Sequence, residues 1–220
     1  MSGGPLAGRR VLVSAGPTYE DLDPVRFLGN RSSGKMGFAV AAAARARGAE
    51  VVLVAGPVHL DTPPGVQRID VRSAAQMREA VLAALPADVY VGAAAVADFT
   101  PRQVSEHKIK KTAGSDTLVL ELVRTADVLA EVAAHPARPA LVVGFAAETH
   151  DLERYARGKL ASKRLDLIAA NLVGAAEGGF ERDDNTLQVY WDGGECRLGP
   201  ASKHAVAGAL VDLLARRLPA

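Results

Sequence analysis

The sequence predicts an α/β fold with a mostly parallel sheet, and two observations carry that expectation. Short runs of β-branched and aliphatic residues recur along the chain, most of them too apolar to keep one face in water. Between them lie Ala/Leu/Arg-rich segments whose apolar residues fall at helical spacing. Strands covered on both faces by crossover helices give that rhythm, so the expected architecture is Rossmann-like, with a small antiparallel ribbon near the C-terminus.

The first strand is expected over Arg10–Ser14. A long polar stretch, Ala15–Lys35, then delays the first helix to Met36–Arg47. Strands follow at Val51–Ala55, Gln67–Val71 and Val89–Ala94, with a helix over Ala74–Leu85 before the last of these. A second polar stretch, Ala95–Asp116, leads to a strand at Leu118–Val123 and a helix at Asp127–Ala134. Leu141–Phe145 and Leu165–Ala170 are further strands around a helix at Leu152–Arg164. Leu187–Trp191 and Glu195–Leu198 form the ribbon, and Ser202–Leu218 the closing helix. Several helices carry Ser, Thr or Asp near their starts, where a side-chain oxygen can cap a free amide.

The 220 residues show no internal repeat and are expected to form one nucleotide-binding domain over 9–220, with 1–8 reading as a linker or remnant of a longer chain. Nearly half the residues are apolar and the net charge is +1, which argues against disorder and against electrostatic steering to nucleic acid. Cys196 is the only cysteine, so an internal disulfide and a cysteine metal cage are excluded and a reducing cytosol fits. No stretch approaches the roughly 18 apolar residues of a membrane span. A cytoplasmic protein with no membrane partner is therefore expected. The five histidines are scattered, no G-x-S-x-G elbow occurs, and the ligands of any metal stay unassigned.

Ligands of open α/β sheets bind beyond the carboxyl ends of the strands, which draws attention to the two polar stretches. Gly29–Met36 matches a phosphate loop until Met36, which offers no hydroxyl to a magnesium ion, and it stands too far from its strand. Ser32, Ser33 and Gly34 still lead into an apolar helix, where free amides suit an anion; the plainer alternative is an N-cap with tight packing at Gly37. Gly92, Ala93 and Ala94 run through small residues to Asp98, a carboxylate suited to a ribose, a base amino group or Mg²⁺, or else to an Asx turn before Pro101. Lys108, Lys110 and Lys111 make a local positive field suited to a triphosphate, or a solvated edge. Lys159 and Lys163 stand four apart and share a helix face. Glu148, just past a strand, could hold Mg²⁺ or cap a helix.

Taken in order, Gly16-Pro-Thr18, Asp23-Pro-Val-Arg26, Asn30 through Gly37, Ala94 through Asp98, Lys108 through Lys111, Gly144 through Thr149 and Asp183-Asp-Asn185 resemble the bacterial phosphopantothenoylcysteine synthetases. The resemblance implies a homodimeric ligase of coenzyme A biosynthesis that uses CTP and Mg²⁺ to turn 4′-phosphopantothenate into an acyl-cytidylate, releasing pyrophosphate. The amine of L-cysteine then displaces CMP. By motif position, Gly92, Ala93 and Ala94 would present backbone to the nucleotide, with Asp98 and Lys108 binding CTP and Ala126, Asp127, Val128 and Leu129 adding backbone contacts. Phe145 would line the nucleotide pocket and Lys159 and Lys163 would meet its phosphates. Asn30 would hold the acyl-cytidylate for the cysteine step, with Lys108 as the second catalytic residue. Lys110 and Lys111, with Ser32, Ser33 and Gly34, would serve the substrate side or a site shared across the dimer.

Relatives of this kind are usually one half of a bifunctional protein, so fusion to or association with a flavin-dependent decarboxylase domain is expected, while no flavin is expected in this chain. Two positions depart from the family pattern: Tyr19-Glu20 stands where Arg-Glu is common, and Ala126-Asp127 where Pro-Asp is common. An ATP-using member of the same family is the nearest alternative. A nucleotide-dependent oxidoreductase on a similar sheet is disfavoured by the missing G-x-G-x-x-G turn.

Overall fold

The alternation of apolar strands and amphipathic helices builds a single large sheet in this computed structural model, which describes residues 3–111, 116–148, 150–172 and 184–219. In chain order the elements are β1 (Arg10–Ala15), β2 (Tyr19–Asp21), β3 (Phe27–Gly29), α1 (Lys35–Ala46), β4 (Glu50–Ala55), β5 (Gln67–Asp70), α2 (Ala74–Ala83) and β6 (Val89–Gly92). They continue with β7 (Phe99–Pro101), β8 (Leu122–Arg124), α3 (Val128–Ala134), β9 (Leu141–Glu148), α4 (Leu152–Ser162), β10 (Leu167–Leu172), β11 (Asp184–Trp191), β12 (Gly194–Ser202) and α5 (Lys203–Arg217). The eight-stranded sheet runs β12-β11-β10-β9-β6-β1-β4-β5. Its strands from β10 to β5 pair in parallel, and β11 and β12 close the other edge as an antiparallel ribbon.

Strand alternation divides the core into two layers. Val11 and Val13 point toward α1 and α5, meeting Val40 and Leu210, whereas Leu12 points to the opposite face among Met77, Val132 and Ala156 of α2, α3 and α4. The α/β fold with helices on both faces is thus the one the sequence predicts. Gly37 sets how closely α1 lies on β1: a Cβ there would stand 2.5 Å from the Ala15 Cβ. Leu6 is buried, and its amide donates to Arg47 O at 3.0 Å, so the packed unit takes in part of the segment expected to be a linker. Trp191, the only tryptophan, lies at the end of β11 paired with Leu167, with the Arg217 guanidinium 3.9 Å above its ring.

Leu118–Val123 is not a strand of the main sheet. Only Leu122–Arg124 is extended and paired, and it forms a two-stranded ribbon with β7 outside the sheet. Leu118, Val119, Leu120 and Leu122 are exposed, so an aliphatic run that reads as a buried strand has no second layer to face. A second ribbon, β2 with β3, lies within the polar stretch after β1, where Tyr19 stacks on Phe27 at 3.9 Å between centroids. Other boundaries shift by a few residues: β6 ends at Gly92, β9 extends to Glu148, and α4 stops at Ser162 with Arg164 at φ 54. Asp183 and Thr149, part of the motifs noted above, lie outside the described residues. No helix among the described residues is long and apolar enough to cross a membrane.

Candidate functional site

Parallel pairing brings Ser14, Gly92 and Gly144 side by side, near the carboxyl ends of β1 and β6 and midway along β9. Small residues in that row leave room above the sheet. A Cβ on Gly92 would sit 3.1 Å from Leu129 Cδ1, and one on Gly144 would sit 2.9 Å from Leu129 Cδ2. Leu129 thus draws the first turn of α3 down over the strand ends. Packing against Leu129 accounts for both glycines.

The result is a cleft of about 810 Å³ at the end of the sheet. Asn30, Gly92, Ala94, Asp98, Ala126, Asp127, Val128, Leu129, Phe145, Lys159 and Lys163 all line it, gathered from positions more than a hundred residues apart in sequence. Its floor is a pair of hydroxyls, Ser14 Oγ and Tyr90 Oη, 3.0 Å apart and buried. Burial pushes the Tyr90 phenol up to about 12; Asp127 adds to the rise and the Ser14 hydrogen bond opposes it. Tyr90 therefore stays neutral and fixes the floor without supplying charge.

Both cleft lysines are held by carboxylates. Lys159 Nζ meets Glu148 Oε1 at 2.7 Å, and Lys163 Nζ meets Asp127 Oδ2 at 2.8 Å. Asp127 also caps α3 by accepting from the Ala130 amide. Asn30 reaches across from the loop after β3 and donates through Nδ2 to Ala95 O at 3.0 Å. Thr18, fully buried, accepts from the Ala97 amide at 2.9 Å, so the segments after β1 and β6 are sewn together beneath the site. Ser14, Tyr90, Arg31, Arg124 and Thr125 also line the cleft, and sequence reasoning did not single them out. Arg31 lies between two nominated residues, a neighbourhood that would have justified naming it. The two strand hydroxyls gave no signal.

A smaller cavity of about 160 Å³ adjoins the cleft, sharing Ala94, Ala95, Phe145 and Ala147 with it. Ser32, Ser33, Gly34 and Ala93 line this second space, opposite Asn171, Asn185 and the buried Lys203. Gly34 takes φ 75 and starts α1 without a side-chain cap. The candidate residues after β3 therefore divide, with Asn30 in the larger space and the serines in the smaller.

Lys108, Lys110 and Lys111 line neither cavity and are exposed. Their segment is docked on the β2–β3 ribbon instead. Asp23, whose side chain is fully enclosed, accepts from the amides of Val25, Arg26 and Ile109 and from the Arg26 guanidinium. The Arg26 hydrogen bonds hold its carboxyl well below the usual range, against the opposing effect of burial. Among the described residues no group of three His, Cys, Asp or Glu side chains is placed to hold a metal ion.

Residues 6–218 match the family model described as the DNA/pantothenate metabolism flavoprotein C-terminal domain. The chain is 51% identical over 210 residues to the Coenzyme A biosynthesis bifunctional protein CoaBC of Vibrio cholerae, covering 95% of this chain and 53% of that one. With the CoaBC protein of Bacillus subtilis it is 52% identical over 195 residues, covering 88% and 47%. The crystal structure of the C-terminal domain of a CoaBC protein superposes with a TM-score of 0.82 at 39% identity, covering 98% of both chains. The chain spans about half the length of the curated relatives it matches.

Proposed function

The chain belongs to the DNA/pantothenate metabolism flavoprotein C-terminal domain family, and from that premise we propose that it is the ligase that joins 4′-phosphopantothenate to L-cysteine at the expense of CTP. The observation that supports this best is the meeting of Asn30, Gly92, Asp98, Phe145, Lys159 and Lys163 around one cleft at the strand ends. A free carboxylate is a poor electrophile. Its oxygen attacks the α-phosphorus of CTP, the bond to the β-phosphate breaks, and pyrophosphate leaves. The amine of cysteine then attacks the acyl carbon, the bond to CMP breaks, and the amide forms with loss of a proton. Each step needs charge compensation and alignment rather than a covalent enzyme nucleophile.

In this reading Lys159 and Lys163 exchange Glu148 and Asp127 for phosphate oxygens, assisted by Arg31 and Arg124 at the same cleft. Asn30 keeps one amide hydrogen bond to Ala95 O and aligns the acyl-cytidylate for the amine. Mg²⁺ fits this donor set as an ion carried in by the triphosphate: Asp98 is an exposed carboxylate of the cleft, whereas Asp127 is already paired. The ion supplies neutralisation of phosphate charge when bound.

Lys108, Lys110 and Lys111, which stand outside the cleft of their own chain, are assigned to the site of a second copy in a homodimer. Fusion to or association with a flavin-dependent decarboxylase domain, and a cytoplasmic place of work, complete the proposal.

Pyrophosphate release with CTP, Mg²⁺ and 4′-phosphopantothenate, with and without cysteine, tests it. Cysteine-dependent turnover with CTP is the expected result. Turnover with ATP alone would move the nucleotide assignment, and no release with either from folded protein would overturn the reaction.

A further inference from the structure

We propose that Asp23 and Arg26 are positioning residues that clamp Ile109 and thereby aim Lys108 and Lys110 at the triphosphate. The inference rests on the reading of those lysines as phosphate-binding groups. Ile109 lies between them in a stretch with no helix or strand, yet both of its backbone groups are held. Its amide donates to Asp23 Oδ2 at 3.1 Å, and its carbonyl accepts from Arg26 Nη2 at 2.8 Å. The amide belongs to the peptide plane shared with Lys108 and the carbonyl to the plane shared with Lys110. Because peptide units are planar and rigid, holding both planes places the Cα atoms from which Lys108 and Lys110 project.

The clamp is itself well anchored. The Leu22 amide donates to Arg26 O at 2.8 Å, and the Ser105 amide donates to Leu22 O at 2.9 Å. Asp23 Oδ1 accepts from the amides of Val25 and Arg26 at 2.8 and 2.9 Å, while Oδ2 receives the guanidinium and Ile109. A buried carboxylate is costly unless its acceptor positions are satisfied, and here its own turn satisfies most of them while the arm supplies one more through the Ile109 amide. Three ammonium groups within four residues repel one another, so an unclamped arm would spread them apart. Apolar packing would tether a loop as well. Gripping both backbone groups of the one residue between two lysines does more, since it holds the Cα atoms on either side of it in place.

The test uses the full chain with CTP, Mg²⁺, 4′-phosphopantothenate and cysteine. Asp23→Asn is expected to raise KM for CTP about tenfold, with a much smaller change in kcat, and to speed trypsin cleavage after Lys108 and Lys110 by at least about tenfold. In a background where Lys108, Lys110 and Lys111 are all glutamine, Asp23→Asn should cost less than about twofold more in kcat/KM, because the groups it aims are gone. Full additivity in that background would show a merely structural role and overturn the proposal, as would equal trypsin rates in the wild type and Asp23→Asn. Arg26→Lys, which keeps the charge but loses the fork, repeats both arms if Asp23→Asn does not fold. An unchanged KM in the triple-lysine variant would sink the phosphate reading instead, and the trypsin comparison separates the two failures.

Discussion

Two groups of lysines look alike in the sequence and are treated in opposite ways by the fold. Lys159 and Lys163 stand on or just beyond a helix at the wall of the cleft, each within 2.8 Å of a carboxylate oxygen. Lys108, Lys110 and Lys111 sit on an irregular arm, exposed and away from the cleft. A paired lysine in a wall attracts little from afar and acts only when its carboxylate gives way. A cluster of bare ammonium groups projects a field over about 10 Å at ordinary salt and is weakened as salt rises. In the proposed ligase the wall would govern contact with a bound anion, and the arm its encounter.

The largest effect expected is at Asn30, which belongs to neither group. Asn30→Asp should lower cysteine-dependent turnover by about 100-fold or more while pyrophosphate is still formed in a first turnover, so that acyl-cytidylate accumulates on the enzyme. Quenched-flow analysis of bound nucleotide reads it, and wild-type turnover would remove Asn30 from the cysteine step. Lys163→Gln should come next, lowering kcat/KM for CTP by about 10- to 100-fold, since a charge-assisted hydrogen bond is lost and Asp127 is left facing phosphate. The salt dependence of the remaining activity should hardly change. Lys108→Gln should cost about tenfold and also flatten the salt dependence. Mixed dimers of Lys108→Gln with Asn30→Asp chains should recover part of the activity, and confirmed heterodimers without recovery would erase the distinction between wall and arm. The smallest effect belongs to Glu148→Gln, which frees Lys159 and should lower KM for CTP about two- to fivefold. A rise in KM would mean that Glu148 aims Lys159 rather than competing for it.

Much of this was legible because burial on both faces leaves a plain mark. The strands Arg10–Ala15, Glu50–Ala55, Val89–Gly92, Leu141–Glu148 and Leu167–Leu172 are apolar enough to need a helix on each side, and their carboxyl ends then locate the cleft. The spacing of Lys159 and Lys163 also foretold a shared face, which turns toward the cleft. Pairing across the chain was not legible. Asp127 lies 36 residues before Lys163, and Asp23 lies 86 before Ile109, distances that only the topology closes. The run from Leu118 to Val123 misled for a related reason: composition shows that a segment tolerates extension, and not whether another layer will cover it. The β2–β3 ribbon escaped notice because two short strands inside a polar stretch carry little periodicity.

Trp191 sits where β11 pairs with the first residue of β10, at the end of the sheet opposite the cleft, beneath the guanidinium of Arg217 from the last turn of α5. As the chain's single indole it is an optical reporter placed at the far end of the sheet from the cleft. Its emission is expected to follow the docking of the closing helix on the sheet edge and not what fills the cleft. A variant dim in turnover yet normal in fluorescence is then damaged at its site, and one altered in both has lost its frame.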